Sequence, residues 1–508
     1  MTMAPSTSSE ELPVHDEPVL DLANIQGNMI AGFRKGYQTL LYVHIDDVGK
    51  FKSVVIELAK RLATAETVRT FNLAYQQLRD QGNTASIRST WVNIAFSFAA
   101  LSKLIGERTT VFFADQGFRD GFAEEATGKG LATSSWKALD GDGDNTADAL
   151  IMVAADAEDD VTREVSAIKT MLDPDGGARV VDCDEGRNPP ERAGKEHFGY
   201  RDGISQPGLR GRGRATPDDL LTPRPFGPGQ GRPGQELIWP GEFVFGYQGQ
   251  VGSPDGVAPG GDSRYDGVGA LQVPEEWGKD GSYVVFRRFD QDVYRFHQFL
   301  QKKNQEQTTS DKDDDLPGAQ VVGRWRSGAP IMRTPTKDIE ELGQNDDANN
   351  YFSYLRPPTA TIARTGKNPG PPDDFPLARA DPHGSVCPLA AHIRRANPRD
   401  DADFAGGREH RLVRRGIPFG KPSKSTPQTP VKDDESRGLL FLAYMTSIDR
   451  QFNRVSAGWS SVQQASVEGV DTDMLLAGTG PDGTPWITLS GGGNYFAPSI
   501  SAVQQLAE

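Results

Sequence analysis

The stretch Glu196-His197-Phe198-Gly199-Tyr200-Arg201-Asp202-Gly203-Ile204-Ser205-Gln206-Pro207 places Asp202 among two glycines and a turn-forming proline. Its apolar content is too low for a core strand, so it reads as an ordered loop with a purpose. A second stretch, Gly384 to Arg399, carries His392 out of small and apolar residues and follows it at once with Arg394 and Arg395. A third, Glu409 to Gly420, carries Arg414 and Arg415 in a β-like run. Strand alternation sends those two arginines to opposite faces, and one points inward only if it meets an anion or a cofactor.

Each stretch has a plainer reading. An imidazole on an apolar shelf beside cations suits haem, whose ring packs on the shelf and whose propionates pair with the cations, while neutral imidazole ligates iron. From spacing alone, a structural histidine next to a solvated basic turn stays open, as does a pair of edge arginines at 414 and 415. Among the seven histidines, His15 lies in the leading polar segment, His44 in a strand, and His297 on a helix beside Phe296, Phe299 and Leu300, where a core edge is expected. Asp140 to Asn145 alternates acids like a calcium loop, but Asn145 stands where glycine is needed and Ile151 where glutamate is needed, so it reads as an acidic turn. Asp311 to Asp315 reads as a solvated charge run and not as a manganese site.

The chain has 508 residues, 36% hydrophobic and 25% charged, enough for two or three core-bearing units. A formal charge of −15 argues against nucleic acid and anionic membrane as partners, because either needs clustered positive charge. Two cysteines, Cys183 and Cys387, give no disulfide framework, no zinc motif and no covalent haem attachment. Residues 1–20 are rich in Ser, Thr, Pro and acids and read as a disordered tail without a secretory or twin-arginine signal; with no apolar run of membrane-spanning length, a cytoplasmic location is expected.

The elements that must position these residues fall into a repeated order. Strands are predicted at Gln38–Ile45, Trp91–Phe98, Ala149–Ala155 and Ala178–Cys183, with helices from Asp46 or Asp47 to about Ala63, near Ala99–Ile105, and at Asp159–Leu172. This is the β-α-β, β-α-β order of a ferredoxin-like unit. After a Gly/Pro-punctuated connection at 208–240, strands at Glu242–Tyr247, Ser282–Arg287, Gln320–Trp325, Glu409–Arg414, Leu439–Met445 and Pro485–Ser490 surround helices at Asp290–Lys302 and Asp449–Val462. The fold class is α+β, with a tail at 1–20, one half at 21–207, the connection, and a second half at 241–508.

The motifs FGYRDGISQP, CPLAAHIRRANPR and VRRGIPFG, in that order, closely resemble the dye-decolourising peroxidase family, long-form class. The resemblance extends to QGN at 26–28, PGEFVFGY at 240–247, GRWRSGAP at 323–330 and GLLFLAYMTSIDRQF at 438–452, and so covers most of the chain. It implies two ferredoxin-like halves in a dimeric α+β barrel arrangement, and one non-covalent haem b per chain held chiefly by the second half. The implied activity reduces hydrogen peroxide through an oxyferryl intermediate and oxidises bulky dyes and phenolics. It makes His392 the axial iron ligand, Asp202 the distal acid/base and Arg414 the distal arginine. Gly203, Ile204, Ser205 and Gln206 would line the cofactor, Arg394 would pair with a propionate, and Asp449 would be the carboxylate behind His392.

An aspartate that stays basic at acid pH implies activity favouring acidic conditions. Phe419 stands where some relatives have a surface-radical tyrosine, which leaves Tyr444, Trp459 and Trp325 as candidates. A haem-handling protein without turnover, or a vestigial structural partner, is the alternative. Asp202 and Arg414 together favour the enzyme, because carriage needs neither. A bacterial-style intracellular monomer or small homo-oligomer is expected.

Overall fold

The computed structural model describes residues 17–82, 87–106, 113–131, 133–141, 143, 145–172, 175–188, 194–226, 231–250, 275–306, 313–361, 374–400, 407–456 and 472–506. Its centre is a closed antiparallel barrel. The first half supplies β1 (Tyr37–Ile45), β2 (Thr90–Ser97), β3 (Ala149–Ala155) and β4 (Ala178–Arg187), side by side in the order β4-β1-β3-β2. The second half supplies β5 (Ser282–Gln291), β6 (Val413–Arg414), β7 (Ile417–Phe419), β8 (Gly438–Met445) and β9 (Ile487–Ala497). There the order is β9-β5-β8, with β6 and β7 both beside β8. The arrangement repeats that of the first half.

Two seams join the halves: Tyr495 and Phe496 of β9 pair with Ser97 and Phe96 of β2, and Phe419 of β7 pairs with Gly186 of β4. Closure rests on short seams, two residue pairs at one and one at the other. It explains why β2 and β3 are apolar almost throughout and do not alternate. Leu41, Val43 and Ile45 face a core shared with the covering helices, while Leu40 and Tyr42 face a barrel interior filled with Met152, Val284, Phe286, Leu440, Leu442 and Tyr444.

The helices start where their caps dictate. Asp47 accepts from Lys50 N at the start of α1 (Val48–Ala59), Thr64 from Thr67 N for α2 (Ala65–Asp80), Ser97 from Ala100 N for α3 (Phe98–Ile105), and Asp115 from Phe118 N for α4 (Gln116–Gly128). Each such cap contributes about 1 kcal/mol. α5 (Glu158–Leu172) places three acids in its first turn, where the helix dipole favours them. The second half carries α6 (Val293–Glu306), α7 (Leu316–Val322), α8 (His392–Ala396) and α9 (Ile500–Gln505).

Several sequence expectations change. Glu242–Tyr247 is not a strand: a 3-10 turn at Pro240–Glu242 leads into an irregular segment whose Phe243, Val244 and Phe245 are fully buried. Gln320–Trp325 is the end of α7 and a left-handed Gly323, not a strand. Glu409 lies in a 3-10 turn and the strand begins at Val413. The helix expected from Asp449 is a π-helical turn, Ile448–Asn453, running into Arg454–Ser456. The polar tail ends sooner than expected: Glu17 is buried and accepts from Arg210, Gly211 and Arg224, and Leu20 is in the barrel core. Within the connection at 208–240, Gly208–Leu209 pairs in parallel with Leu237–Ile238. Among the described residues, no helix is long and apolar enough to cross a membrane.

Candidate active site

The loop carrying Asp202 is strapped to β6 and β7 at both ends. At its start the buried His197 ring meets Phe419 O at 2.6 Å. At its end the Gln206 side chain brackets the Arg414 backbone, donating to its carbonyl and accepting from its N–H, both at 3.3 Å. Between them Arg414 Nη2 donates to Ser205 O at 2.7 Å. Arg415 leaves the strand on the other face, as alternation requires, and donates to Asn28 O and Ile30 O around the turn that holds the QGN motif. Beneath the loop, Phe198 and Tyr200 are buried against Phe296 and Leu300 of α6 and against Leu475 and Trp486.

His392 is the first residue of α8, over a small core that includes Trp325, Cys387, Ala391 and Ile393. Its Nδ1 meets Asp473 Oδ2 at 2.8 Å. Asp473 is fully buried and its other oxygen accepts the backbone N–H groups of Leu475 and Leu476 at 2.9 and 3.0 Å, while Met474 N donates to Ala390 O, tying the two segments together. Burial disfavours the charged ring, but the Asp473 carboxylate outweighs it and raises the His392 pKa above its ordinary value. With Nδ1 engaged, Nε2 is the free ring nitrogen, and it lies 3.6 Å from Asp202 Oδ2. Asp202, His392 and Arg414, far apart in sequence, therefore lie close enough for their charges to act on one another.

Asp449 is not the carboxylate behind the imidazole. It accepts the backbone N–H groups of Gln116 and Gly117 at the start of α4, which a helix N-terminus leaves unpaired. No motif surrounds Asp473, so only its distance in space identifies it. Arg394 is likewise committed elsewhere: it donates to Cys387 O and Asp381 and lies 4.4 Å over the Tyr354 ring.

Two arginines not singled out in the sequence reach Ser205 of the Asp202 loop. Arg324 is fully buried, donates to Gly328 O, Asn349 O, Ser205 Oγ and Asn350 Oδ1, and keeps a buried Nε with no hydrogen-bond partner. Arg399 stacks on Phe352 at 3.8 Å and donates to Asn350 and Phe352. Burial, then the charge of Arg399, pushes Arg324 down to about 9, and Asp202 is the carboxylate that opposes this. Burial also lowers Arg414, again opposed by Asp202. Beyond Arg399 a cleft of about 350 Å³ opens between Arg210, Glu236, Phe352, Asn397 and Arg408.

The remaining loop residues divide. Ser205 and Gln206 bind the arginine framework, and Ile204 packs on Gly328. A Cβ on Gly203 would meet no protein atom within 4 Å, so protein packing does not demand glycine there. Tyr444 and Trp325 are buried, donating to Met152 Sδ and Thr334 O, and so are core residues and not surface oxidation sites; Trp459 lies outside the described residues.

Comparisons with known proteins agree over nearly the whole chain. Residues 24–179 match the family model "DyP dimeric alpha+beta barrel domain", and residues 255–502 match "Dyp-type peroxidase, C-terminal". A dye-decolorizing peroxidase of Mycena epipterygia is 28% identical over 97% of this chain and 88% of its own length. Among solved structures, an ancestral D-type dye decolorizing peroxidase superposes with a TM-score of 0.72 at 27% identity, covering 96% of this chain and 99% of that one. A mutant of the dye-decolorizing peroxidase from Pleurotus ostreatus does so with a TM-score of 0.73 at 26% identity, covering 96% of this chain and 100% of that one.

Proposed function

Because the chain belongs to the dye-decolorizing peroxidase family and is a peroxidase acting on dyes, we propose that His392, Asp202 and Arg414 are its working residues. We further propose that its haem is haem b, held non-covalently, one per chain. The observation that carries this reading is the His392 ring, fixed at Nδ1 by Asp473 and facing Asp202 with Nε2. The donor set suits the group. A neutral imidazole nitrogen is an iron ligand, and a carboxylate partner on the opposite nitrogen fixes its tautomer and raises its basicity. The fully buried guanidinium of Arg324 and the half-buried one of Arg399 suit the two propionates, since Arg324 keeps a buried Nε with no hydrogen-bond partner and desolvation disfavours the charge of both. The open space beside Gly203 suits a flat ring lying against the loop.

The haem supplies the two-electron reduction of hydrogen peroxide and the oxidising power then used on the dye. The protein's own residues handle the proton. Asp202 accepts it from one oxygen of hydrogen peroxide and returns it to the other as the O–O bond breaks, a role that a carboxylate held on a fixed loop can fill for both oxygens. Arg414, anchored through Ser205 O and the Gln206 side chain, keeps a buried positive charge where the leaving oxygen develops negative charge. Asp473 holds the imidazole in one orientation throughout.

Two substitutions test the assignment separately. His392→Ala is expected to abolish the Soret absorbance of the purified protein. Asp202→Asn is expected to keep that absorbance and lose on the order of 10²–10⁴-fold in the rate of reaction with hydrogen peroxide. Full Soret absorbance in the first, or an unchanged rate in the second, contradicts the corresponding role.

A further inference from the structure

Behind Asp202 lies a second carboxylate that the proton transfer above does not use. Glu196 closes the start of the loop on itself. Its N–H donates to Tyr200 O at 3.1 Å and its carbonyl accepts from Gly199 N at 3.0 Å. Its carboxylate accepts from Phe198 N at 2.7 Å and from Tyr200 N at 3.0 Å. From the end of β5, Gln291 Nε2 donates to the same carboxylate at 2.7 Å. Asp202 follows two residues after this turn, so the state of Glu196 bears directly on where Asp202 points and what field it feels.

The charged and titratable groups around Glu196 are few. Asp202 faces it from its own loop, the Tyr200 phenol lies beside it, and Arg326 approaches from the segment after α7, shared with Asp315 at 2.8 Å and with Phe198 O at 3.1 Å. The barrel contributes only the neutral Gln291 amide to its hydrogen bonds.

That amide is half used. Gln291 Oε1 is buried and has no hydrogen-bond partner, although Nε2 is satisfied by Glu196. A half-turn of the amide offers Oε1 to a protonated Glu196, so the pair can be completed with the carboxyl ionised or neutral. Burial, followed by the like charge of Asp202, also raises Glu196 to about 7, within reach of ordinary pH.

We propose that Glu196 is a positioning residue for Asp202. Protonated, it leaves Asp202 as the sole anion of the loop; ionised, it sets a second negative charge behind Asp202, which then holds the proton taken from hydrogen peroxide more tightly and returns it more slowly to the departing oxygen. This rests on the role given to Asp202 above and adds a cause for falling activity on the neutral side of the pH profile.

Infrared titration of the haem-loaded protein, followed by the rate of its reaction with hydrogen peroxide across the same pH range, tests it. The wild type is expected to show a protonated-carboxyl stretch that disappears around neutral pH and is missing in Glu196→Gln. Its rate should fall by up to about tenfold per pH unit beyond that midpoint, as for loss of one proton. In Glu196→Gln the fall should vanish or move up by at least one pH unit. Gln291→Leu, which leaves Glu196 in place, should shift the infrared midpoint and the kinetic midpoint together. No titrating band, an unmoved fall in Glu196→Gln, or an infrared shift in Gln291→Leu without the kinetic one overturns the proposal. Failure of the Asp202 role itself is distinguishable, because Asp202→Asn would then keep the wild-type rate while the Glu196 band still titrates.

Discussion

His392 and Asp202 stand out in their own neighbourhoods, one as an imidazole among small apolar residues, the other as a lone acid in a glycine-framed turn, but their roles are legible only from the three motifs taken together in order. Asp473 does not stand out. It sits 81 residues from His392 in a segment without distinctive neighbours, and its role follows only from burial and a 2.8 Å contact. The choice of Asp449 fails for a physical reason: an aspartate just before a polar stretch has a competing use at a helix N-terminus, and α4 supplies the N–H groups. Asp473 has all its acceptors committed to His392, Leu475 and Leu476, so an amide there puts a donor where only acceptors are wanted. Asp473→Asn is therefore expected to weaken haem retention or turnover by about 10–100-fold, the usual cost of losing such a partner. Asp449→Asn should leave both near wild type. Soret absorbance after gel filtration, and steady-state rates at saturating peroxide, check the pair.

At the scale of elements, the regular barrel strands were legible and the irregular site was not. β1, β3 and β8 announce themselves as runs of branched and aromatic residues. The segments misread as strands, Glu242–Tyr247 and Gln320–Trp325, are just as apolar, but they are buried by packing under the barrel and around the site without pairing to a ladder. Composition reports burial there, not conformation. The catalytic loop holds its shape through particular backbone angles and side-chain straps. Gly199 has φ +93, and a Cβ on it would approach Arg326 Nη1 to 2.3 Å. Arg326 cannot simply swing away, since Nη1 donates to Phe198 O and Nε to Asp315. Gly199→Ala is expected to lower unfolding free energy by about 1–3 kcal/mol, from left-handed strain and loss of that guanidinium's bonds. The same change should slow the reaction with peroxide more than it reduces haem content, because it disturbs the Asp202 side and leaves α8 untouched. Urea unfolding and single-turnover kinetics on one preparation separate the two effects.

The whole molecule was legible as two α+β units of like order, because each repeats a strand-helix rhythm in sequence. What sequence does not express is that each unit's outer strands meet the other's, through β2 with β9 and β4 with β7, so that the two halves close into one barrel. That closure buries titratable groups on a scale that shapes stability against pH. Burial and a neighbouring carboxylate raise Asp115, beside Asp449, from 3.8 to about 6, and Glu196, beside Asp202, from 4.5 to about 7. Between each group's ordinary and raised value the folded chain holds a proton that the unfolded chain has released. Each therefore lowers stability as pH rises through its window, by at most about 1.4 kcal/mol per pH unit. Glu17 and Glu236 act in the opposite sense: arginine partners outweigh burial and lower them, so their contribution is present above about 4.5 and is lost as pH falls. A net charge of −15 adds self-repulsion on the neutral side. The Tm of the haem-free chain should accordingly peak on the acid side of neutrality, decline towards pH 7 and fall again under strongly acid conditions. Burial raises Glu242 to about 7 as well, while buried His297 and His410, lowered to about 4, act against the decline, so Glu196→Gln, Asp115→Asn and Glu242→Gln together should flatten the neutral-side decline and Glu236→Gln should lessen the acid-side fall. A neutral-side slope that is the same in the triple variant as in the wild type would mean that none of these carboxyls carries its proton into that range.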